Sequence, residues 1–181
     1  VFHPIGGCGE VSATMAHLAE DMGVEIHYDE PVESMEFSGK KITSVTTPKG
    51  QYAADATVVN ADFARAMTRL VPDALRRRWS DKKIASRRFS CSTFMLYLGL
   101  DGCYDSVPHH NIYLAENYRD NLADIERRHC LSADPSMYVQ NASITDPTLA
   151  PKDMSTLYVL IPVSHKHPNI NWKKEAPAFR E

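Results

Sequence analysis

A glycine-rich turn near the start of the chain is the first pattern that could bind a ligand. The segment Gly7-x-Gly9-x-x-Ser12 approximates the dinucleotide fingerprint G-x-G-x-x-G/A, and Asp29-Glu30 lies where an acid would bind a ribose. Pro4 precedes the glycines, however, and proline is out of place in a central parallel strand. Serine at the third position also costs close packing between helix and strand. A structural turn beside some other site is the favoured interpretation.

The histidines and cysteines show no spacing typical of a metal site. His109 and His110 are neighbours, so on a strand their side chains would point to opposite faces. His165 and His167 would share a face, but no third ligand is evident nearby. The four cysteines form no C-x-x-C pair; they are Cys8, Cys91, Cys103 and Cys130. No metal is therefore expected, and the lack of a G-x-S-x-G motif removes support for covalent hydrolysis.

The net charge of -3 hides an uneven distribution. A basic segment from Arg65 to Arg88 contains nine Lys and Arg against two acids, while the remainder of the chain is strongly acidic. Such a segment suits an anionic partner, either lipid headgroups or a phosphate, and a solvated helix face is the alternative. Aromatic residues are not interleaved with the basic ones as stacking platforms would require, so no nucleic-acid partner is predicted.

The composition is that of an ordinary globular protein. The 181 residues are 43% hydrophobic and 24% charged, which excludes disordered, collagen-like and coiled-coil classes. The longest apolar runs, residues 93–100 and 157–163, fall far short of the roughly 20 residues that span a bilayer. The chain begins at Val1 without Met and stops at Glu181 inside a helix-like run, so we expect a piece of a longer protein.

The elements that must position these residues indicate an α+β fold. Helical spacing of apolar residues predicts a helix over 10–22, with Gly23 after its end. Extended segments are predicted at 24–28, 32–37, 42–47 and 56–59, with turns at 38–40 and 48–50. This first block therefore reads as helix, strand, β-meander and strand.

The second block predicts a mixed or antiparallel sheet with helices on one face. Asp62 is an N-cap candidate for a helix over 63–71, and further helices are predicted over 73–79 and 119–128. Four strands are predicted at 90–100, 111–116, 136–142 and 156–163. Aromatic side chains on these strands either pack in the core or line a long apolar cavity; they are Phe89, Phe94, Tyr97, Tyr113, Tyr138 and Tyr158.

An ordered series of stretches covers nearly the whole chain: residues 4–9, 18–23, 58–62, 76–81, 90–100, 108–110, 145–151, 158–163 and 169–172. Together they resemble the bacterial and fungal phytoene desaturase family, the FAD-dependent oxidoreductases that form carotenoids. The first stretch alone is also similar to the wider flavin amine oxidase superfamily.

The resemblance implies that the chain is the middle of a longer enzyme. Residues 1–61 would be the later part of an FAD-binding domain, and residues 62–181 a substrate-binding domain that is incomplete at its C-terminus. The phosphate-binding G-x-G-x-x-G and a second flavin-contacting motif, which the family carries elsewhere, do not occur in this chain. We therefore expect the 181-residue chain alone neither to bind FAD tightly nor to turn over substrate.

The resemblance also suggests site residues. Gly6, Gly7, Cys8 and Glu10 would border the substrate cavity near the flavin. Glu10 is the one ionisable candidate for a catalytic base, with a cavity hydrogen bond or a helix-start carboxylate as its other possible roles. Val32 would contact the adenine of FAD through its backbone, and the Asn60-Ala61 turn would approach the cofactor.

The implied reaction oxidises carbon–carbon single bonds of a C30 or C40 polyene to double bonds. FAD accepts a hydride, and a proton leaves to a base or to water. Because the hydrocarbon resides in membranes, the enzyme would be cytoplasmic and peripherally membrane-associated, with Arg76, Arg77, Arg78 and Trp79 as contacts. The alternatives are another flavin oxidoreductase of the amine oxidase superfamily, such as a ketolase or isomerase, or a non-enzymatic lipid-binding module. The oligomeric state is not indicated.

Overall fold

The computed structural model describes residues 2–181, which form two compact units. One unit joins residues 2–19 to residues 89–181, and the other comprises residues 20–88. Helices accompany two antiparallel sheets, so the predicted α+β class is confirmed. The predicted domain boundary at residue 61 concerns the longer protein and stays a prediction. Within the described residues, no helix is both long and apolar enough to cross a membrane.

The regular elements follow in chain order. They are α1 Gly9–Asp21, β1 Ser34–Ser38, β2 Lys41–Thr47, β3 Gly50–Ala53, α2 Phe63–Leu70, α3 Asp81–Ala85, β4 Ser92–Asp101, β5 His110–Tyr113, α4 Tyr118–Ala123, β6 Met137–Asn141, β7 Met154–Val163 and α5 Trp172–Arg180. A π-helical turn, Asp124–Arg128, continues α4. Three 3₁₀ turns lie at Asp73–Leu75, Ala142–Ile144 and Pro147–Leu149.

A four-stranded antiparallel sheet organises the unit of residues 2–19 and 89–181. Its strand order is β4-β7-β6-β5, and β4 pairs with β7 over its whole length, from Ser92 opposite Val163 to Asp101 opposite Met154. Exposure alternates along β4, as expected for a strand with only one covered face. On that covered face the Phe94 ring stacks on Trp172 of α5, with ring centroids 5.7 Å apart. The opposite face of β4, which carries Met95, Tyr97 and Gly99, is therefore not covered by α5.

A three-stranded meander, β1-β2-β3, organises residues 20–88. Glu30 joins the segment before β1 to the β2–β3 turn, because its carboxylate accepts hydrogen bonds from the Thr47 hydroxyl at 2.6 Å and the Tyr52 hydroxyl at 2.7 Å. These bonds, that from Thr47 above all, hold the pKa of Glu30 below its usual value. In α2, Asp62 accepts a hydrogen bond from the Arg65 N–H at 2.8 Å, which confirms the predicted N-cap.

Most of the predicted elements are present, and three predictions were wrong. Residues 24–28 and 56–59 are irregular, because no neighbouring strand within residues 2–181 pairs with either segment. The helix predicted over 73–79 is only the 3₁₀ turn Asp73–Leu75, and α3 begins separately at Asp81, where Ser80 accepts from the Lys83 N–H. An apolar pattern by itself predicts too many strands, because a strand forms only where a neighbouring strand accepts and donates its backbone hydrogen bonds.

Arg76 departs from the predicted membrane contacts. Its side chain is buried, and its guanidinium lies 2.5 Å from Asp81 Oδ1 and 3.4 Å from Asp73 Oδ1. Arg77 and Arg78 are exposed, whereas Trp79 is half-buried against the Phe63 ring at 4.9 Å. Arg76 therefore links the turn at residue 73 to the start of α3, and its suggested membrane contact stays a prediction that this burial does not support.

Replacing Arg76 by Ala should destabilise the protein by about 1–3 kcal/mol, because two carboxylates lose their partner and the packed side-chain stem is lost. Replacing the exposed Arg77 by Ala provides the matched control and should change stability by less than about 0.5 kcal/mol. Urea unfolding of the intact protein measures both values. Equal losses in the two variants would contradict the structural role of Arg76.

Candidate functional site

An open groove of about 670 Å³ lies over the free face of the four-stranded sheet. The N-terminal segment contributes His3, Gly7 and Cys8, and the strands contribute mainly apolar and aromatic side chains. Tyr97 of β4 and Tyr158 of β7 are neighbours there, with ring centroids 5.2 Å apart. Such a lining binds ligands chiefly by removing apolar surface from water.

Gly99 widens this groove. It lies on β4 two residues after Tyr97, and a Cβ atom placed on it would meet no heavy atom within 4 Å. The strand conformation does not require glycine here, since its φ lies outside the left-handed region. The missing side chain therefore leaves room for a ligand along β4.

The turn before α1 requires glycine at two successive positions. Gly6 and Gly7 have φ values of +87° and +91°, which L-residues rarely adopt. A Cβ atom on Gly6 would lie 2.8 Å from Glu10 Cγ, and the Gly7 N–H donates to the Pro4 carbonyl at 3.0 Å. The glycines thus form a compact turn at the groove, as the favoured interpretation predicted, and residues 2–5 before them form no strand.

Asp146 anchors the turn to the sheet unit from 140 residues away in sequence. Its side chain is fully buried, and Oδ2 accepts the Gly6 N–H at 2.7 Å. Oδ1 accepts hydrogen bonds from the Thr148 hydroxyl at 2.6 Å and from the Thr148 N–H at 3.1 Å. These donors, with the Thr148 hydroxyl first, hold the pKa of Asp146 below its usual value despite burial. The carboxylate is thereby kept charged beneath the turn.

Sequence reasoning did not assign a role to Asp146 or to His3. The Asp-Pro-Thr order at 146–148 is a recognisable local signal, because aspartate often accepts hydrogen bonds from the backbone two residues on. The side chain of His3 is only 17% exposed, and its Nε2 atom lies 3.4 Å from Asp146 Oδ2. No local pattern in the sequence indicated that contact, since it depends on the long-range position of the turn.

The predicted cavity residues separate into two groups. Gly7 and Cys8 line the groove, while Gly6 lies behind it with its N–H on Asp146. Glu10 is exposed at the start of α1, its side chain lies against Gly6, and it does not line the groove. Its suggested role as catalytic base stays a prediction that this geometry does not support.

Polar groups from the residue before β5, from β6 and from the turn after β6 lie beside the N-terminal segment. His109 Nδ1 lies 2.6 Å from Thr145 Oγ1, and its Nε2 lies 3.0 Å from the side-chain nitrogen of Gln140. Burial lowers the pKa of His109, and the adjacent His110 adds to that effect. The rings of His3 and His109 meet edge to face at 5.2 Å, so His109 supports the wall that carries His3.

The histidine pair at 165 and 167 gains a neighbour that the sequence did not indicate. His129 lies against both rings, at 5.1 and 4.3 Å between centroids, and its Nδ1 is 2.7 Å from Ser164 Oγ. Across residues 2–181, no three or more His, Cys, Asp and Glu side chains are arranged to hold a metal ion. All four cysteines are free thiols.

The predicted cofactor residues lie in residues 20–88. Val32 is 40% exposed and precedes β1, whose pairing with β2 begins at Ser34. Asn60 and Ala61 lie exposed in the irregular segment that ends at Asp62. A backbone contact to an adenine ring is compatible with these positions. Glu30 Oε1, by contrast, accepts hydrogen bonds from Thr47 and Tyr52 of the hairpin, an arrangement that does not favour the ribose-binding role of a dinucleotide fingerprint.

Replacing Asp146 by Asn should remove part of the acid sensitivity of folding. The pKa of Asp146 is lower in the folded than in the unfolded chain, so its stabilisation is present above the ordinary value of 3.8 and is lost as pH falls through the folded pKa. Urea unfolding between neutral and acidic pH measures the difference. The exposed Asp101 replaced by Asn is the control, and the hypothesis fails if both variants follow the wild-type pH dependence.

Comparison with known proteins gives one matching family, described as flavin containing amine oxidoreductase, over residues 1–162. Curated relatives include a 4,4'-diapophytoene desaturase of Methylomonas sp., 38% identical over 100% of this chain and 35% of its own. An all-trans-ζ-carotene desaturase of Myxococcus xanthus is 40% identical with the same coverage. A lycopene-forming phytoene desaturase of Pantoea ananas is 32% identical over 100% of this chain and 37% of its own. The predicted resemblance is thus confirmed.

A solved structure shares the fold. The crystal structure of an oxidoreductase from Methanosarcina mazei matches 98% of this chain and 37% of its own, with a TM-score of 0.67 and 16% identity. The chain spans about a third of the length of the curated relatives it matches.

Proposed function

The chain belongs to the flavin-containing amine oxidoreductase family, and on that premise we propose that the protein containing it is an FAD-dependent carotenoid desaturase. The observation that carries the proposal is the open apolar groove beside the glycine turn. A polyene hydrocarbon offers no hydrogen-bonding groups, so a site for it needs apolar and aromatic walls. The desaturases of diapophytoene and ζ-carotene among the relatives favour this substrate class.

FAD would be held in part by this chain. The backbone at Val32 and the exposed turn at Asn60 and Ala61 are the candidate contacts to the cofactor. When bound, oxidised FAD supplies a hydride acceptor of sufficient strength for carbon–carbon desaturation. The residues of this chain contribute by orienting the polyene and by excluding water from it.

The groove suits a long, flat ligand. Tyr97 and Tyr158 provide aromatic surface along the sheet, and Gly99 leaves the adjacent space open. Cys8 and Gly7 close the side formed by the glycine turn. An extended polyene would therefore lie along the strands with one flank against that turn.

Expression of the intact gene with phytoene and, separately, with diapophytoene tests the function. We expect products with additional conjugated double bonds, seen as red-shifted absorbance and as losses of two hydrogens by mass spectrometry. Ketones or isomers at unchanged saturation would favour the ketolase or isomerase alternative. Unchanged substrates in the presence of bound FAD would contradict the proposal.

The same assay tests the groove. Gly99→Leu should lower turnover at least about tenfold, because the new side chain occupies space along β4. Met95→Phe is the matched control, since Met95 is on the same exposed face of β4 but does not line the groove. Equal turnover by both variants would place the polyene elsewhere.

We also propose that the exposed part of the basic segment contacts anionic lipid, since a hydrocarbon substrate must be drawn from a membrane. Arg77 and Arg78 are exposed side by side. Nearby, Lys83 and Arg87 lie over the Trp79 ring at 5.9 and 5.3 Å. A cytoplasmic protein bound peripherally to the membrane surface would use this arrangement.

Replacing Arg77 and Arg78 together by Gln should weaken binding of the intact protein to anionic liposomes about 30-fold, since each charge contributes about 1 kcal/mol. The control is a double variant with Lys40 and Lys41 replaced by Gln, which loses the same charge outside the basic segment. Co-sedimentation with vesicles of anionic and of neutral lipid gives the measurement. Equal binding of the two double variants would refute the lipid contact.

A further inference from the structure

Among residues 2–181, His3 is the one histidine that lines the groove. It stands on the same wall as Gly7 and Cys8, three residues before the left-handed glycine turn. Desaturation needs two hydrogens removed from adjacent carbons, and only one leaves as a hydride. A proton acceptor at the groove wall would complete that reaction.

The buried carboxylate of Asp146 lies beside the His3 ring. His3 Nε2 is buried, lies 3.4 Å from Asp146 Oδ2, and has no hydrogen-bond partner within residues 2–181. A proton on Nε2 therefore faces a carboxylate that is itself fixed by Thr148 and Gly6. That tautomer leaves the lone pair on Nδ1, so the ring is prepared to accept a second proton there.

The other ionisable groups that line the groove are weaker choices. Tyr158 is a phenol whose pKa is raised, mainly by burial, so it is neutral and a poor proton acceptor at neutral pH. Tyr97 is likewise a phenol, and Cys8 is an exposed free thiol. Imidazole is the side chain best suited to accept a proton near neutral pH.

We propose that His3 Nδ1 accepts the proton released when the polyene is desaturated, and that Asp146 is the positioning residue that holds the His3 ring and stabilises its charge. The inference rests on the proposed function. Bound FAD would supply the acceptor for the hydride lost from one carbon, and the C–H bond on the next carbon breaks. Its electron pair becomes the new π bond, and its proton forms an N–H bond on His3. The imidazolium then releases that proton to solvent.

Single-turnover reduction of FAD in the intact enzyme, followed by absorbance under anaerobic conditions with polyene, tests the role of His3. His3→Gln should slow reduction about 100-fold or more, with little change in the substrate concentration that gives half-saturation. The wild-type rate should fall at acidic pH, and this fall should disappear in the variant. His17→Gln, an exposed histidine on α1, is the matched control and should react at the wild-type rate.

Nitrogen-15 NMR of the histidine-labelled intact protein gives a readout that needs no substrate. The His3 ring should be in the Nε2–H tautomer in the wild type and should become a mixture of tautomers in Asp146→Asn. A merely structural Asp146 would leave the tautomer of His3 unchanged while lowering stability, and that result would overturn its positioning role.

The outcomes separate the inference from the proposed function. An intact wild-type enzyme that oxidises no polyene refutes the function, and with it the role of His3. A wild-type enzyme that desaturates polyenes while His3→Gln keeps the same rate and pH profile refutes only the inference, and water is then the proton acceptor. If His3→Gln reduces FAD slowly and its rate no longer decreases at acidic pH, the result supports both the function and the role of His3.

Discussion

The hydrogen bond from the Gly6 N–H to the buried carboxylate of Asp146 is the contact on which the groove depends. It joins a left-handed turn near the start of the chain to a segment 140 residues later, just beyond β6. Burying a charged carboxylate is costly, and the cost is offset here by donors from Gly6 and Thr148. That fixed acceptor holds the turn against the sheet unit, and the ring contact between His3 and His109 supports the same wall.

The remaining geometry follows from a sheet with two different faces. α5 covers one face of β4 through the stack of Phe94 and Trp172, so the other face is available to a ligand. Tyr97 and Tyr158 give that face an aromatic surface, and Gly99 leaves it open. The site thus combines a long apolar surface with one polar corner, which suits oxidation of a hydrocarbon better than recognition of a polar substrate.

Features that depend on residues close together in the sequence were predicted, whereas features that depend on residues far apart in the chain were not. The long strands β4 and β7, the helix α1 and the cap at Asp62 follow from local periodicity and from one side-chain hydrogen bond, and all were predicted. The segments at 24–28 and 56–59 look equally strand-like, but pairing partners decide whether they form strands. Arg76 resembled its exposed neighbours in sequence, and only the turn geometry shows that it points inward to Asp73 and Asp81.

The residues of the site likewise include contacts that local sequence patterns do not reveal. From the resemblance, Gly7 and Cys8 are expected to border a substrate cavity, and in the structure both line the groove. The acid suggested as a base, Glu10, lies on the outside of the turn, whereas the pair formed by His3 and Asp146 has no local signature at all. Contacts between residues so far apart in the chain become visible only once the sheet and the turn are in place.

The central claim is that the groove along β4 and β7 is where a polyene binds. The most direct measurement is a crystal structure of the intact flavoenzyme with a bound polyene analogue. We predict continuous density along the sheet beside Tyr97, Gly99 and Tyr158, with one flank of the ligand against Gly7 and Cys8. Density for the polyene at another site, with this groove filled by protein or by ordered water, would contradict the account.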